Sequence, residues 1–169
     1  MKTTCLKNLI KHFKSSIFSV QETHFRKKGR FTHNNFEIFE AIRKKEGGGS
    51  MLGVHVGLQP VLITEHSDMF ELIVVQISVA NKSIRIITGY GPQESWALDV
   101  KMQFFLALEE EIAKAAIKGC SLILMGDMNS KLGPDYIKND PKGISENGII
   151  LAGIMERNVL TVANGIENK

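Results

Sequence analysis

Residues 122–129 read LILMGDMN, and they decide the fold because an apolar strand runs directly into an aspartate and an asparagine. The apolar run is typical of a buried strand. Gly126 permits close backbone packing at its end, and Asp127 and Asn129 follow two residues apart. Such a pair is often an Asx turn, in which the side chains cap local backbone donors. It also suits a site that holds a metal or a phosphate.

The bulk composition is that of an ordinary globular protein, with 169 residues, 43% hydrophobic and 23% charged. This length predicts a single domain over residues 1–169. The two cysteines have neither metal-ligand nor redox spacing, which indicates reduced thiols in a reducing compartment. No apolar run approaches the roughly 20 residues that a membrane span needs, so we expect no membrane partner. Lysines interrupt the N-terminal apolar residues, so we expect no signal peptide. An intracellular location follows, without distinguishing nucleus from cytoplasm.

Charge is distributed unevenly along the chain. Residues 1–46 carry 11 Lys/Arg against 4 Asp/Glu, whereas residues 47–169 carry 10 against 14. A basic segment beside an acidic one is typical of a surface that meets a polyanion next to a metal-binding surface. The alternative is that the clusters at 26–30 and 43–46 are solvated loop charges.

Hydrophobic periodicity predicts an α+β fold whose sheet faces are covered by helices. The predicted strands are residues 16–22, 35–42, 51–57, 71–79, 83–90, 121–126 and 159–163. One predicted helix begins near residue 1, and two others span about 99–118 and 148–157. The second helix has a stripe formed by Met102, Phe105, Leu108, Ile112 and Ala116, which we expect to pack on the sheet. The GGGS run at 47–50 is either a flexible break or a point of close backbone approach.

Polar residues stand where three of these strands end: Glu22, Tyr90, and Asp127 with Asn129. Each has an ordinary interpretation, as a first solvated residue, a turn aromatic or an Asx turn. Strand ends on one rim of a twisted sheet converge, however, because neighbouring strands lie about 5 Å apart. Together these side chains would offer the oxygen ligands that Mg²⁺ takes alongside water and phosphate oxygens. That arrangement indicates metal-assisted phosphoester hydrolysis.

Five motifs in this order resemble one family. They are QETH (21–24), GGGSMLGVHV (47–56), GYGPQ (89–93), LILMGDMNSKLG (122–133) and SENGIILAGIMERNVLTVAN (145–164). The sequence resembles the endonuclease/exonuclease/phosphatase superfamily over nearly its whole length. It is most similar to the apurinic-type endonuclease domains of LINE-type (non-LTR) retrotransposons and to craniofacial-development-protein-like sequences. The resemblance implies a DNase-I-like α/β sandwich.

The resemblance also implies a role for each strand-end residue. Glu22 would bind the metal, which is Mg²⁺ or Mn²⁺. Tyr90 would lie near the scissile phosphate, and Asp127 would orient or deprotonate the attacking water. Asn129 would hold the phosphate or orient Asp127. These roles suit an in-line displacement, which needs charge neutralisation and an aligned water.

DNA, or another nucleic acid, is the partner that the resemblance implies. His24 would sit on the same strand face as Glu22 and contact substrate, unless it is only a loop-entry histidine. Gln93, which stands where the family more often has asparagine, would also contact substrate. The basic side chains proposed to meet phosphates are Arg26, Lys27, Lys28 and Arg30.

Two family motifs lie outside this sequence: an N-terminal Asn-Gly strand and a late Ser-Asp-His strand. We therefore expect a fold that is incomplete at both termini and a chain with weak or no activity. Three functions stay open: a metal-dependent DNA-nicking domain, an inactive remnant that at most binds nucleic acid, and a phosphoesterase acting on another phosphate ester. The oligomeric state is not predicted.

Overall fold

The computed structural model describes residues 3–43, 47–137 and 143–163. In chain order its elements are α1 (Thr3–Phe13), β1 (Ile17–Gln21), β2 (Phe36–Ala41), β3 (Ser50–His55), β4 (Val61–His66), β5 (Glu71–Val79), β6 (Lys82–Tyr90), α2 (Leu98–Ile117), β7 (Ser121–Asp127) and α3 (Glu146–Arg157). The α+β prediction is confirmed. These elements form two compact units. The first contains the described residues up to Tyr90 together with Lys114–Gly126, and the second contains Gly91–Ala113 and the described residues from Asp127 onward.

The first unit is a sandwich of two sheets. One sheet has the strand order β1-β3-β2, and the other has the order β4-β5-β6-β7. Alternating apolar residues of the strands meet between them, as a period of two places them on one face of each sheet. This core comprises Phe39, Ala41, Leu52, Val54, Ile73, Val75, Ile77 and Ile86. The sequence pattern of the strands therefore accounts for the layer that holds this unit together.

Helix α1 covers part of the first unit with a second apolar cluster. Leu6 and Ile10, one turn apart on the helix, pack with Phe31 and Met51. The predicted hairpin is also present, because β5 and β6 pair from Glu71↔Tyr90 to Val79↔Lys82. Its turn residues have positive φ angles, which is the geometry that a tight hairpin turn demands.

The second unit contains the buried face of α2 and helix α3. Phe104, Phe105, Leu108 and Ile112 of α2 are at most 2% exposed, but Met102 is 37% exposed. The predicted stripe is therefore wrong at Met102 and at Ala116, which is also exposed. At both places the buried face contains the preceding residue instead, Lys101 or Ala115. Two ion pairs link the helices: Lys101 with Glu146, and Arg157 with Glu109. Neither helix, nor α1, is long and apolar enough to cross a membrane within the described residues.

The strands differ from the prediction in three respects. Residues 159–163 form no strand, and Val159 is 88% exposed with a φ of 52°, which extended pairing does not accept. Strand β4 was not predicted; it joins β5 through a register shift between Leu62 and Thr64. Strand β7 is only partly buried, because it is the edge strand of its sheet in the described order.

Gly126 is a point of close backbone approach near the end of β7. Its φ is +118°, and a Cβ placed there would lie 2.1 Å from the carbonyl oxygen of Gly89. We expect Gly126→Ala to lower the free energy of unfolding by about 2 kcal/mol, because it adds both strain and a clash. Gly143→Ala is the matched control, since a Cβ there meets nothing within 4 Å. Thermal melting compares the two; equal stability would refute close packing at Gly126.

Candidate active site

Strand β1 ends one residue before Glu22, and β6 ends at Tyr90. The Tyr90 hydroxyl donates a hydrogen bond of 2.6 Å to Oε1 of Glu22. Tyr90 is 7% exposed, whereas Glu22 is exposed to solvent. A buried phenol thus holds an exposed carboxylate at the rim of the first unit. The sequence prediction that these two strand ends converge agrees with this contact.

The turn after β1 is held in a strained conformation. Glu22 and His24 both have positive φ angles, of 54° and 53°. The amides of Thr23 and His24 donate to the carbonyl oxygens of Gly49 and Gly48, at 3.0 and 2.9 Å. Strain of this kind persists where surrounding contacts impose it, and it is enriched at functional sites. Because β1 has already ended, the expectation that Glu22 and His24 share a strand face is wrong.

The glycine run is a point of close approach rather than a flexible break. A Cβ on Gly48 would lie 2.7 Å from Oε1 of Glu71, and one on Gly49 would lie 2.6 Å from Oγ1 of Thr23. Both glycines also have positive φ angles. Gly48 and Gly49 therefore let two chain segments meet where the turn containing Glu22 needs its backbone partners.

A buried ion pair supports the glycine run. Glu71 is fully buried, and its Oε1 lies 2.7 Å from Nε of Arg43, while its Oε2 accepts from the Arg43 Nη2 at 3.1 Å. The Gly49 amide also donates to Oε1, at 3.1 Å. Burial raises the pKa of Glu71, which the Gly49 amide and the Arg43 guanidinium oppose. Glu71 pairs directly with Tyr90 across β5 and β6.

Asp127 and Asn129 form the second pair of predicted residues, in the second unit. Oδ1 of Asp127 accepts from the Asn129 amide at 2.9 Å, so the Asx turn is present. The Asp127 carboxylate is nevertheless exposed, and its backbone oxygen accepts from the Gly91 amide at 2.8 Å. Asn129 has a φ of 47°, and its Nδ2 donates to the Gly91 oxygen. The turn fixes the direction of the carboxylate without burying it.

Asn147, at the start of α3, braces this loop. It is fully buried, and its Nδ2 donates to the carbonyl oxygens of Pro92, at 2.9 Å, and Asn129, at 3.0 Å. Ser145 caps the same helix end, accepting from the Gly148 amide. One amide group therefore ties the loop after Asp127 to the turn after Tyr90.

The other predicted substrate contacts lie on exposed turns. Gln93 is exposed, and its carbonyl oxygen accepts from the Trp96 amide. The side chains of the cluster at 26–30 are exposed; they are Arg26, Lys27, Lys28 and Arg30. Lys28 forms an ion pair of 2.6 Å with Glu65. Lys28 therefore has a protein partner where a phosphate contact was predicted.

Three contributing residues were not predicted: Arg43, Glu71 and Asn147. The signal for Glu71 was a glutamate directly before a long apolar strand, where a charge is expensive unless it is paired. The signal for Asn147 was an asparagine just inside a helix that begins after a serine cap. Neither signal predicts which residue is contacted, because the partners are distant in sequence. Arg43 lies 28 positions from Glu71, and Asn129 lies 18 positions from Asn147.

Similar folds occur in solved structures. The AP endonuclease LMAP from Leishmania major is 13% identical with a TM-score of 0.73, and the alignment covers 93% of this chain and 61% of that one. The endonuclease domain of TRAS1, a telomere-specific non-LTR retrotransposon, is 17% identical with a TM-score of 0.58, covering 92% and 64%. TDP2 of D. rerio with a single-strand DNA product is 13% identical with a TM-score of 0.54, covering 95% and 58%.

These likenesses confirm the DNase-I-like architecture, and this chain spans less than two thirds of each of those proteins. No curated protein sequence matches the chain significantly. A family model, however, matches residues 2–153, and its description is the Endonuclease/Exonuclease/phosphatase family. That match takes in most of the chain and all four strand-end residues. The chain therefore belongs to the endonuclease/exonuclease/phosphatase family.

Proposed function

We propose that this chain hydrolyses phosphodiester bonds of DNA with the help of a divalent metal, as a nicking endonuclease does. Family membership supports phosphoester chemistry. Two neighbours in fold are named endonucleases, and a third holds a DNA product. The observation that carries the proposal is the hydrogen bond from the buried Tyr90 to the exposed Glu22, which places a positioned carboxylate at the rim of a sheet.

The available oxygen ligands fit a Mg²⁺ ion that keeps several of its coordinated water molecules. Glu22 offers an exposed carboxylate of which Oε1 is oriented by Tyr90. No cluster of three or more His, Cys, Asp or Glu is present in residues 3–43, 47–137 and 143–163. Mg²⁺ is commonly held by one or two carboxylates with water and phosphate oxygens, so Glu22 would be its protein ligand. When bound, the metal would neutralise charge developing on the phosphate.

The remaining residues have roles that need no covalent intermediate. Asp127 accepts the proton of the attacking water or orients that water, because its exposed carboxylate is fixed by the Asx turn. Asn129 keeps the turn in place through its own contact with Gly91. Tyr90 holds Glu22 and offers a phenol near the scissile phosphate. Each role requires positioning more than reactivity.

The proposal is tested with supercoiled plasmid, using the chain together with any residues that its reading frame encodes on either side. We expect conversion of supercoiled to relaxed circles in Mg²⁺ and none in excess EDTA. Absence of relaxation with Mg²⁺ or Mn²⁺ would refute the nicking function. Hydrolysis of a phosphomonoester without plasmid relaxation would indicate that the substrate is another phosphate ester, with the chemistry of the same family.

The Tyr90 hydroxyl should contribute less than the catalytic carboxylate. We expect Tyr90→Phe to lower the nicking rate about tenfold, since one hydrogen bond to a charged group is removed while the ring stays in the core. Tyr136→Phe is the matched control, because the Tyr136 hydroxyl donates to Glu156 at 2.5 Å in the same way. Plasmid relaxation compares the variants. Equal rates for both would contradict a role for the Tyr90–Glu22 contact.

The cluster at 26–30 should contribute to DNA affinity. We expect a Lys27→Gln, Arg30→Gln double variant to flatten the salt dependence of duplex binding by about 0.9 for each phosphate that the variant no longer neutralises. Lys28→Gln should change the slope less, because Lys28 is paired with Glu65. Fluorescence anisotropy between about 50 and 200 mM salt measures both slopes. A double variant with the parental slope would mean that these are solvated loop charges.

A further inference from the structure

A groove of about 560 Å³ lies beside β2 in the first unit, and the proposed chemistry does not use it. Its lining combines three phenylalanine rings with seven polar or charged residues, three of which are glutamates. Phe31 and Phe39 are buried there, and Phe36 is half-buried. Lys28 and Glu65, which form an ion pair, also line it. A concave surface where aromatic rings and polar groups converge is a candidate ligand site.

Glu40 supplies a buried acceptor to this groove. The residue is 6% exposed, and its Oε2 accepts from the Gly29 amide at 2.5 Å. Its Oε1 is buried and accepts no hydrogen bond from any described residue. A buried polar atom without a partner is costly, and in native proteins it calls for an explanation. A ligand that brings an N–H donor would satisfy Oε1.

His33 adds a second polar atom to the groove beside an aromatic ring. Its Nδ1 is buried and has no hydrogen-bond partner among the described residues. Its ring meets that of Phe36 edge-on, with centroids 4.9 Å apart. Together the groove offers the half-buried ring of Phe36, a carboxylate acceptor and an imidazole nitrogen. This combination suits a flat heteroaromatic ligand that carries an amino group.

We propose that the groove binds one base of a single-stranded nucleic acid and selects bases with an exocyclic amine. Aromatic side chains stack on any base, and a glutamate accepts from the amine of cytosine. Lys27 and Arg30, exposed in the loop that supplies Lys28 and Gly29 to the groove, would meet the neighbouring phosphates. The inference rests on the nucleic-acid substrate proposed above, but it concerns binding and needs no metal.

The experiment compares oligodeoxycytidine with oligodeoxyuridine of about 12 nucleotides, which spans a typical single-strand site. The two pyrimidines differ at position 4, where cytosine has an amine donor and uracil an oxygen acceptor. We expect oligodeoxycytidine to bind about tenfold more tightly in EDTA, measured by fluorescence anisotropy. Equal affinity, or no binding to either, would overturn the proposal.

Glu40→Gln should reverse the preference. The oxygen of the new side-chain amide would accept from Gly29, which turns the NH₂ donor of that amide toward the groove and favours uracil. Glu37→Gln is the control, because Glu37 is exposed, lines the same groove and carries the same charge. It should strengthen binding of both oligonucleotides without changing their ratio. The proposal would also be overturned if Glu37→Gln changed the ratio of the two affinities while Glu40→Gln left it unchanged.

Two further points keep the outcomes separable. The wild-type ratio decides the question even if Glu40→Gln fails to fold, which its melting curve would reveal. Base-selective binding without plasmid relaxation, by the chain together with any residues that its reading frame encodes on either side, would refute the nicking function and support the groove. Plasmid relaxation without base selectivity would support the function and overturn the groove.

Discussion

Asp127→Ala should lower the rate of Mg²⁺-dependent plasmid relaxation by a factor of about 10² or more, the scale of losing a positioned general base. The reason is geometric. Asp127 ends β7 with its carboxylate exposed and its Oδ1 held by the Asn129 amide at 2.9 Å. Removing the carboxylate removes the acceptor for the proton of the attacking water while leaving the strand intact.

The matched control for this variant is Asp135→Ala. Asp135 is another exposed aspartate of the second unit, so the same charge is removed outside the proposed site. We expect the rate of Asp135→Ala to stay within about twofold of wild type, as surface changes usually have little effect. Similar losses in both variants would mean that net charge, rather than the position of Asp127, governs the rate.

Glu71→Ala should lower the free energy of unfolding by about 4 kcal/mol, because removing one partner of a buried ion pair leaves the other uncompensated. The variant would leave Arg43 without this carboxylate and the Gly49 amide without its acceptor. Chemical denaturation measures the loss. Stability equal to wild type would contradict the role assigned to Glu71 in holding the glycine run.

Glu71→Gln serves as the isosteric control and adds a pH test. The pKa of Glu71 is raised above its ordinary value of 4.5, chiefly by burial. Because its pKa is raised, the Glu71 carboxyl binds its proton more tightly in the folded state than in the unfolded state. Its protonation therefore stabilises the fold below pH 4.5. This stabilisation is lost as the pH rises through the pKa of the folded state. The stability of wild type relative to Glu71→Gln should therefore fall as pH rises from about 4.5. A difference that grows with pH would contradict the raised pKa.

Strand patterning predicted most of the first unit because its side chains alternate between one buried and one less buried face. The β5–β6 hairpin is the clearest instance, with its turn at Ala80 and Asn81. The strand predicted at 159–163 failed for the opposite reason. Its residues are apolar apart from Thr161, but Val159 adopts a left-handed conformation, which depends on the turn after α3 rather than on hydrophobic pattern.

The candidate site was predictable in part. Glu22 and Tyr90 were placed together because polar residues at strand ends on one rim converge, and the pair is joined by a hydrogen bond. The residues that hold them were not predictable. Glu71 meets Arg43 only after β5 and the glycine run are brought together, and no local pattern encodes a contact between positions 28 apart. Long-range topology decides such contacts, whereas periodicity decides the elements.

The most direct test of the account is the Mg²⁺ dependence of plasmid relaxation by Glu22→Gln. The variant keeps an acceptor for the Tyr90 hydroxyl but loses the charge proposed to bind the metal. We expect half-maximal relaxation by Glu22→Gln to need at least about tenfold more Mg²⁺, since a charged ligand has been replaced by a neutral one. Glu110→Gln, an exposed change on α2, should leave that concentration unaltered. An unchanged Mg²⁺ requirement in Glu22→Gln would contradict the proposed metal site.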